Sequence, residues 1–177
     1  LNIIHRDISP QNILVSYSGA VKIIDFGIAK AAEGLHHTQD GVIKGKFRYM
    51  APEQAMGQAI DHRVDIFAAG VVLYELLLGE THSKGATDAE LIVKAQSGAF
   101  EPIERLVSGL PRDLPEIVRK ALMRDPSERF PSARLFRNAL DTVVKREGLE
   151  VAPEAMASFL NHMFPDIHSR GSRVDEV

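Results

Sequence analysis

The sequence predicts a mainly α-helical fold with a small β-hairpin layer near its start. Short β-branched runs separated by polar turn residues are concentrated in the first thirty residues, whereas nearly all of the chain after Ala51 spaces its apolar residues at helical intervals. Of the 177 residues, 45% are apolar and 25% are charged, which is typical of a globular domain with a core of its own.

Two short strands joined by a tight turn form the predicted hairpin. Residues 13–15 and 21–24 are rich in β-branched side chains, and residues 16–19 between them are Ser, Tyr, Ser and Gly, a composition that reverses the chain. Residues 28–50 then show no sustained periodicity. Loops of this length usually serve a function, so we expect the site to lie beside it.

Five helices are predicted from periodicity and end signals. Their expected bounds are 64–78, 87–96, 114–124, 132–147 and 153–164. Thr87 and Asp113 are placed to cap the second and third helices, because their side-chain oxygens accept hydrogen bonds from first-turn N–H groups. We expect the apolar stripe of the last helix to pack back on the fold, with binding of a partner as the alternative. Residues 1–147 would form the main unit and residues 148–177 a helical extension with a frayed tail.

Composition excludes several classes of function. Cysteine is absent, which removes disulfides, thiolate metal sites and cysteine nucleophiles, and fits a reducing cytoplasm. The 21 basic and 24 acidic residues give a net charge of −3, without the basic excess of a nucleic-acid-binding protein. The longest apolar stretch, residues 66–78, contains Glu75 and is shorter than the ~20 residues that a membrane-spanning helix needs. We therefore expect a cytoplasmic protein with no nucleic-acid partner and no membrane segment in this chain.

Three oxygen-bearing side chains near the start of the chain suit a hard cation. Asp7, Asn12 and Asp25 flank the predicted hairpin, which folds its two ends back to one place. Oxygen ligands that leave room for water and phosphate suit Mg²⁺ better than zinc or copper. A carboxylate alongside could accept a hydroxyl proton. The pattern therefore indicates a Mg²⁺ site beside a general base.

Three motifs in a fixed order resemble those of one family. Residues 5–12 (HRDISPQN) resemble the catalytic loop of the protein kinases, residues 25–27 (DFG) their metal-binding triplet, and residues 51–53 (APE) the triplet that ends their activation loop. The resemblance extends to about residue 147 and has the style of bacterial kinases of the eukaryotic type. It implies the large C-terminal lobe of a serine/threonine protein kinase, with Pro10 favouring serine and threonine over tyrosine.

The resemblance also implies roles at the reaction centre. Asp7 would orient the substrate hydroxyl and accept its proton, while Asn12 and Asp25 would hold Mg²⁺ on the phosphates of ATP. Leu14 would lie under the adenine ring. The implied reaction is transfer of the γ-phosphate of ATP to a serine or threonine hydroxyl of a protein substrate.

Regulatory roles follow from the same resemblance. His5 and Phe26 would pack in the hydrophobic column of an active kinase, and Gly27 completes the metal-binding triplet. Arg6 would face the activation loop, where a phosphorylated side chain could dock on it. Thr38 is the best-placed hydroxyl in that loop for such a modification.

Structural roles are implied for three further residues. Asp65, at the head of the apolar helix, matches the acidic residue that braces the catalytic-loop backbone in this family. Glu53 and Arg129 match a glutamate and arginine that pair with each other. We interpret this pair as structural, with the task of holding the activation segment in place.

Two departures from the family pattern are linked by charge. The serine/threonine kinases usually carry lysine two residues after the catalytic aspartate, and this chain has Ser9 there. Their activation segment usually has threonine after a glycine, and this chain has Lys46 there. We therefore expect the Lys46 ammonium to reach the space that Ser9 leaves and to restore a cation beside Asp7. If it does not, Ser9 indicates an impaired enzyme.

The small N-terminal lobe of the family has no counterpart in these 177 residues. The chain starts at Leu1 and contains no glycine-rich phosphate loop, strand lysine or partner glutamate of that lobe. We therefore expect a fragment that needs the missing N-lobe, binds ATP weakly and does not turn over alone. The alternative is a pseudokinase-like scaffold or binding module. Small-molecule phosphotransferases are a weaker alternative, because they lack the APE triplet after a long loop.

Overall fold

The computed structural model describes residues 3–26, 46–149 and 151–165 of the chain, with the Lys46 side chain left out. Seven helices and one hairpin make up this part of the protein. The prediction of a mainly α-helical fold with a small β-hairpin layer is confirmed.

The hairpin consists of strands β1 (Ile13–Val15) and β2 (Val21–Ile23). They pair antiparallel, with Ile13 opposite Ile23 and Val15 opposite Val21. The turn closes where Ser16 N–H donates to the Ala20 carbonyl at 2.8 Å and Gly19 N–H donates to the Ser16 carbonyl at 2.9 Å. A 3₁₀ turn at Pro10–Asn12 leads into β1 and sets Asn12 at the entrance of the hairpin.

The helices all follow the hairpin in the chain, from residue 52 onward. They are α1 (Pro52–Ala55), α2 (Arg63–Leu78), α3 (Asp88–Ser97), α4 (Ile103–Leu106), α5 (Leu114–Ala121), α6 (Ala133–Arg146) and α7 (Pro153–Met163). Further 3₁₀ turns lie at Lys46–Tyr49 and Pro126–Glu128. Helices α1 and α4 were not predicted from the sequence, because four residues are too few to show a helical period.

Helix α2 is the centre of the fold. Its side chains enter two hydrophobic clusters, one around Phe67 and Val71 and the other around Ile66. Helices α4, α5 and α6 and the turn at Lys46–Tyr49 all contact α2. A Cβ atom on Gly70 would lie 2.9 Å from the Cβ atom of Ala121, so the absence of a side chain lets α5 cross α2 closely. None of the described helices has the length and hydropathy to span a lipid bilayer.

Helix ends agree with the sequence at Thr87 and differ at Asp113. The Thr87 hydroxyl accepts a hydrogen bond from Glu90 N–H at 3.3 Å, and the Glu90 carboxylate accepts one from Thr87 N–H at 2.7 Å. This reciprocal pair forms a capping box. The Asp113 side chain caps nothing and instead forms an ion pair with Arg146 of α6. Asp113 therefore joins the start of α5 to the end of α6.

The last helix, α7, packs less than the sequence analysis expects. Met156, Phe159 and Met163 of its apolar stripe are exposed, and no residue of α7 is fully buried. Its first residue, Pro153, lies close to the hairpin turn: a Cβ atom on Gly19 would fall 1.8 Å from the Pro153 carbonyl oxygen. The start of α7 is therefore fitted against the turn between β1 and β2.

Candidate active site

The segment that contains Asp7 is anchored to the core by one carboxylate. The Asp65 Oδ2 atom accepts a hydrogen bond from His5 N–H, and its Oδ1 atom accepts one from Arg6 N–H, both at 2.8 Å. Asp65 lies in the first turn of α2. A segment without regular secondary structure is thus tied to α2, which has more buried residues than any other described helix.

Two non-glycine residues of the site adopt the left-handed backbone region. Arg6 has φ +66° and Asp25 has φ +56°. Such conformations are uncommon for residues with a side chain and persist where surrounding contacts impose them. For Arg6 the imposing contact is the bond from its N–H to Asp65. Arg6 directly precedes the candidate catalytic residue Asp7, and Asp25 is itself a candidate Mg²⁺ ligand.

Asn12 is joined directly to Asp7. The Asn12 amide nitrogen Nδ2 donates to the Asp7 main-chain carbonyl at 2.8 Å. The Asn12 main-chain carbonyl accepts a hydrogen bond from Ile24 N–H at 2.9 Å, which ties it to the residue before Asp25. The amide nitrogen is only a donor, so Oδ1 is the atom of the Asn12 side chain that can bind a cation.

His5 and Phe26 connect the catalytic segment to the end of the hairpin. The buried His5 ring donates from Nε2 to the Ile24 carbonyl at 3.0 Å, and its Nδ1 atom accepts from Asp7 N–H at 3.3 Å. The His5 and Phe26 rings lie 4.8 Å apart, tilted by 42°. His5 therefore contacts both the residue expected to accept a proton and the segment that carries Asp25.

The face that would receive a nucleotide is open. Asp25 is exposed, and Leu14 and Phe26 are each 51% exposed. Among the described residues, no group of three or more His, Asp or Glu side chains is placed to hold a metal ion. Asn12 Oδ1 and the Asp25 carboxylate are hard oxygen donors, and a site with few protein ligands fits Mg²⁺, which keeps water and phosphate ligands. The donor set therefore fits the Mg²⁺–ATP complex that the sequence predicts.

Residues 46–53, the described end of the expected activation segment, lie beside Arg6 and Asp7. Tyr49, Met50 and Gln54 line a shallow recess together with Arg6 and Asp7. Gln54 Nε2 donates a long hydrogen bond of 3.4 Å to the Arg6 carbonyl, and Gln54 Oε1 accepts one from Ala51 N–H at 3.1 Å. The segment that precedes α1 therefore lies beside Asp7.

Glu53 and Arg129 form a buried, two-pronged ion pair. Arg129 Nη1 and Nη2 donate to the two carboxylate oxygens of Glu53 at 2.7 and 2.8 Å. The remaining N–H groups of Arg129 donate to the main-chain carbonyls of Arg63, Met123 and Arg124. All five N–H donors of the guanidinium are thus used. The pair joins α1, at the end of the activation segment, to the start of α2 and the loop after α5.

Several predicted site positions lie outside the described residues. These are Gly27, Thr38 and the side chain of Lys46. Ser9, which stands where the family usually has lysine, is buried, and its main-chain carbonyl accepts from Asn12 N–H at 3.0 Å. The exchange of roles between Ser9 and Lys46 stays a prediction.

A second polar cluster beside the recess was not predicted from the sequence. It is centred on Glu75, a buried carboxylate inside the otherwise apolar α2, which accepts hydrogen bonds from Tyr49 and His82. Burial raises the pKa of the Glu75 carboxyl, but these hydrogen bonds outweigh burial and hold that pKa below its usual value. Burial and the Glu75 carboxylate together raise the pKa of the Tyr49 phenol. The signal available in the sequence was a lone acidic residue in a helix apolar on all sides.

Comparison with known proteins agrees with these observations. Residues 1–140 match the protein kinase domain family. The tyrosine-protein kinase MasK of Myxococcus xanthus is 42% identical over 164 residues, which are 93% of this chain and 25% of that protein.

Two further relatives are named serine/threonine-protein kinases. The serine/threonine-protein kinase PknB of Mycobacterium tuberculosis is 40% identical over 158 residues, 87% of this chain and 25% of that protein. The probable serine/threonine-protein kinase PknB of Bifidobacterium longum is 38% identical over 144 residues, 80% of this chain and 21% of that protein. The chain spans about a quarter of the length of these curated relatives. It belongs to the protein kinase family, and its described residues have the mainly helical architecture of the large lobe of that fold.

Proposed function

We propose that this chain is the large lobe of a protein kinase that transfers the γ-phosphate of ATP to serine or threonine hydroxyls of proteins. The observation that carries the proposal is the bond from Asn12 Nδ2 to the Asp7 carbonyl, on a segment that Asp65 anchors to the core. This bond holds a carboxylate-bearing residue beside an amide oxygen able to bind a cation. Transfer of a phosphoryl group depends chiefly on such positioning.

Asp7 is proposed to act on the substrate hydroxyl. Its carboxylate would orient the hydroxyl in line with the γ-phosphorus and accept the proton as the oxygen attacks. The position of the segment before α1 supports this role, because Tyr49 and Met50 line a small recess together with Asp7 and so lie beside the carboxylate-bearing residue.

Asn12 and Asp25 are proposed to hold Mg²⁺, and Leu14 to contact the adenine ring. When bound, Mg²⁺–ATP supplies the phosphoryl group and the cation that neutralises its charge. Asn12 would contribute Oδ1 and Asp25 its exposed carboxylate. The half-exposed side chain of Leu14 offers the base an apolar surface. We also propose that Lys46 supplies the cation that position 9 lacks, and that Arg6 receives phosphorylated Thr38.

A labelled-phosphate assay tests the proposal. The protein expressed from its whole gene is incubated with γ-labelled ATP, Mg²⁺ and myelin basic protein. Asp7→Asn is expected to lower the transfer rate by about 10²- to 10⁴-fold, the usual contribution of general acid–base catalysis. Asp88→Asn, in the first turn of α3, is the matched control and should leave the rate unchanged. Equal rates for the wild type and Asp7→Asn would contradict the assignment.

Tyrosine specificity is a second candidate, favoured by one observation. A relative that is 42% identical over 93% of the chain carries the name tyrosine-protein kinase. Analysis of the phosphoamino acids in the labelled product separates the two candidates. Phosphoserine or phosphothreonine is the expected product, and phosphotyrosine alone would replace the serine/threonine assignment.

A pseudokinase-like scaffold remains the alternative to catalysis. It predicts no transfer by the protein with or without Asp7. The 177 residues contain no glycine-rich phosphate loop, so we propose that they bind ATP weakly and do not turn over when isolated from an N-lobe. The absence of cysteine suits a reducing cytoplasm, where we place the reaction. Residues 148–177 are proposed to form a helical extension with a frayed tail that follows the lobe of residues 1–147.

A further inference from the structure

Glu75 joins two segments that are distant in the sequence. Its Oε2 atom accepts a hydrogen bond from the Tyr49 hydroxyl at 2.6 Å. Its Oε1 atom accepts from His82 Nδ1 at 2.9 Å and from His82 N–H at 3.1 Å. One buried carboxylate thus holds the end of the activation segment on one side and the loop after α2 on the other.

Arg48 and Ser83 add a second link between the same segments. Arg48 Nε donates to the Ser83 hydroxyl at 2.9 Å and lies 4.0 Å from Glu75 Oε1. Ser83 is buried, with 2% of its surface exposed. We call Arg48, Tyr49, Glu75, His82 and Ser83 the Glu75 cluster. Arg48 and Tyr49 come from the activation segment, and His82 and Ser83 come from the loop after α2. Both pairs are linked by hydrogen bonds, through Glu75 and directly from Arg48 to Ser83.

The His82 ring is fixed by aromatic neighbours as well as by Glu75. Its centroid lies 5.0 Å from that of Phe100 and 6.4 Å from that of Tyr74. A ring held on several sides keeps its Nδ1 atom directed at the carboxylate. His82 is therefore a rigid donor, and a rigid donor determines where the Glu75 carboxylate and its other partner lie.

The Glu75 cluster adjoins the segment that contains Asp7, where a protein substrate of the proposed kinase would react. Tyr49 and its neighbour Met50 line the recess at Asp7. On the other side, Arg48, Met50 and His82 line a cavity of about 250 Å³. No residue of the Glu75 cluster contacts Asn12 or Asp25 through a hydrogen bond in the described part of the chain. A change in the cluster should therefore alter binding of a protein more than binding of ATP.

We propose that His82 and Ser83 are positioning residues for the protein substrate, because through Glu75 and Arg48 they fix the activation segment at Tyr49 beside Asp7. The proposal rests on the kinase function proposed above. A buried carboxylate that loses a hydrogen-bond donor is destabilised, and the side chain shifts toward another donor or toward water. Loss of the His82 side chain would thus let Tyr49 and the segment around it shift.

Steady-state kinetics with myelin basic protein test the role of the His82 side chain. In the protein expressed from its whole gene, His82→Ala is expected to raise the KM for myelin basic protein by roughly tenfold, the equivalent of about one hydrogen bond to a charged group. The kcat and the KM for ATP should change less than twofold. His82→Asn places an amide donor near the position of Nδ1 and should restore a KM close to that of the wild type.

Matched variants separate this role from general damage to the fold. Ser83→Ala removes only the acceptor of Arg48 and should raise the KM for myelin basic protein by about threefold. His62→Ala is the control, because His62 is exposed and bonds only the Pro131 carbonyl at 2.8 Å among the described residues. An unchanged KM in His82→Ala, or a kcat that falls with unchanged KM, would overturn the proposal.

Hydrogen exchange gives a readout that needs no activity. Peptides covering residues 47–50 should exchange faster in His82→Ala than in the wild type or in His82→Asn, while peptides of α6 should not change. Unaltered exchange at residues 47–50 would overturn the positioning role even if kinetics changed. Failure of the wild type to transfer phosphate would instead contradict the kinase function, and the exchange result would still decide whether His82 holds the segment.

Discussion

Arg129 offers the sharpest test of what holds the activation segment in place. Replacing it with alanine leaves the Glu53 carboxylate, which is 4% exposed, without its partner and deprives three main-chain carbonyls of their donor. It also removes the guanidinium from the face of Phe67, where the ring centroid lies 4.7 Å away. Breaking a buried ion pair by removing one partner costs about 3–5 kcal/mol. We expect Arg129→Ala to destabilise the lobe by that amount.

Hydrogen exchange measured by mass spectrometry is the assay. For peptides from α1 and from the loop after α5, a loss of about 3–5 kcal/mol speeds exchange by at least 10²-fold, because each 1.36 kcal/mol is a factor of ten. Arg119→Ala is the matched control. Arg119 also donates to a glutamate, Glu116, but their side chains are 60% and 62% exposed, and exposed pairs contribute less than about 1 kcal/mol. Equal effects of the two variants would refute the reasoning that burial decides the contribution of the pair.

Two further perturbations test the hairpin and the loop before α2. Gly19→Ala and Gly85→Ala both place a side chain at positive φ, +82° and +77°, but only the first would push a Cβ atom against Pro153. We therefore expect faster hydrogen exchange in α7 and in the hairpin turn for Gly19→Ala alone, and equal exchange in both variants would contradict the close approach. The hydrogen bond from Arg63 lowers the pKa of the Asp61 carboxyl to about 2 from its ordinary 3.8. The ionised Asp61 carboxylate therefore stabilises the fold fully above pH 3.8, and this stabilisation is lost as the pH falls through about 2. Asp61→Asn should accordingly lower the thermal midpoint at pH 7, with a difference from the wild type that shrinks toward pH 2; a difference independent of pH would contradict the assignment to this carboxylate.

The sequence was informative where the local pattern alone determines the structure. The hairpin, the apolar helix α2 and the capping box at Thr87 each depend on a few neighbouring residues, and they form close to the predicted positions. Helix α5 ends at Ala121 instead of residue 124, and the Met123 and Arg124 carbonyls beyond its end accept hydrogen bonds from Arg129, a donor that the local pattern does not reveal. The family motifs likewise point to Asp7, Asn12 and Asp25, whose roles stay predictions.

Features that depend on distant partners were beyond the sequence. The left-handed backbone of Arg6 depends on Asp65, which lies fifty-nine residues further along the chain. The buried state of Glu75 depends on donors from two other segments, so its position in an apolar helix signalled only that a partner must exist. The exposed stripe of α7 was expected to pack on the fold, and hydrophobic periodicity does not say which surface, if any, covers such a stripe.

The two bonds to Asp65 give an irregular segment the behaviour of the protein interior. Because the His5 and Arg6 amides donate to a side chain of α2, we expect them to exchange with solvent more slowly than amides of an unanchored loop. If Asp7 accepts the substrate proton as proposed, it does so from a support that is already ordered, and little further ordering of this segment is needed.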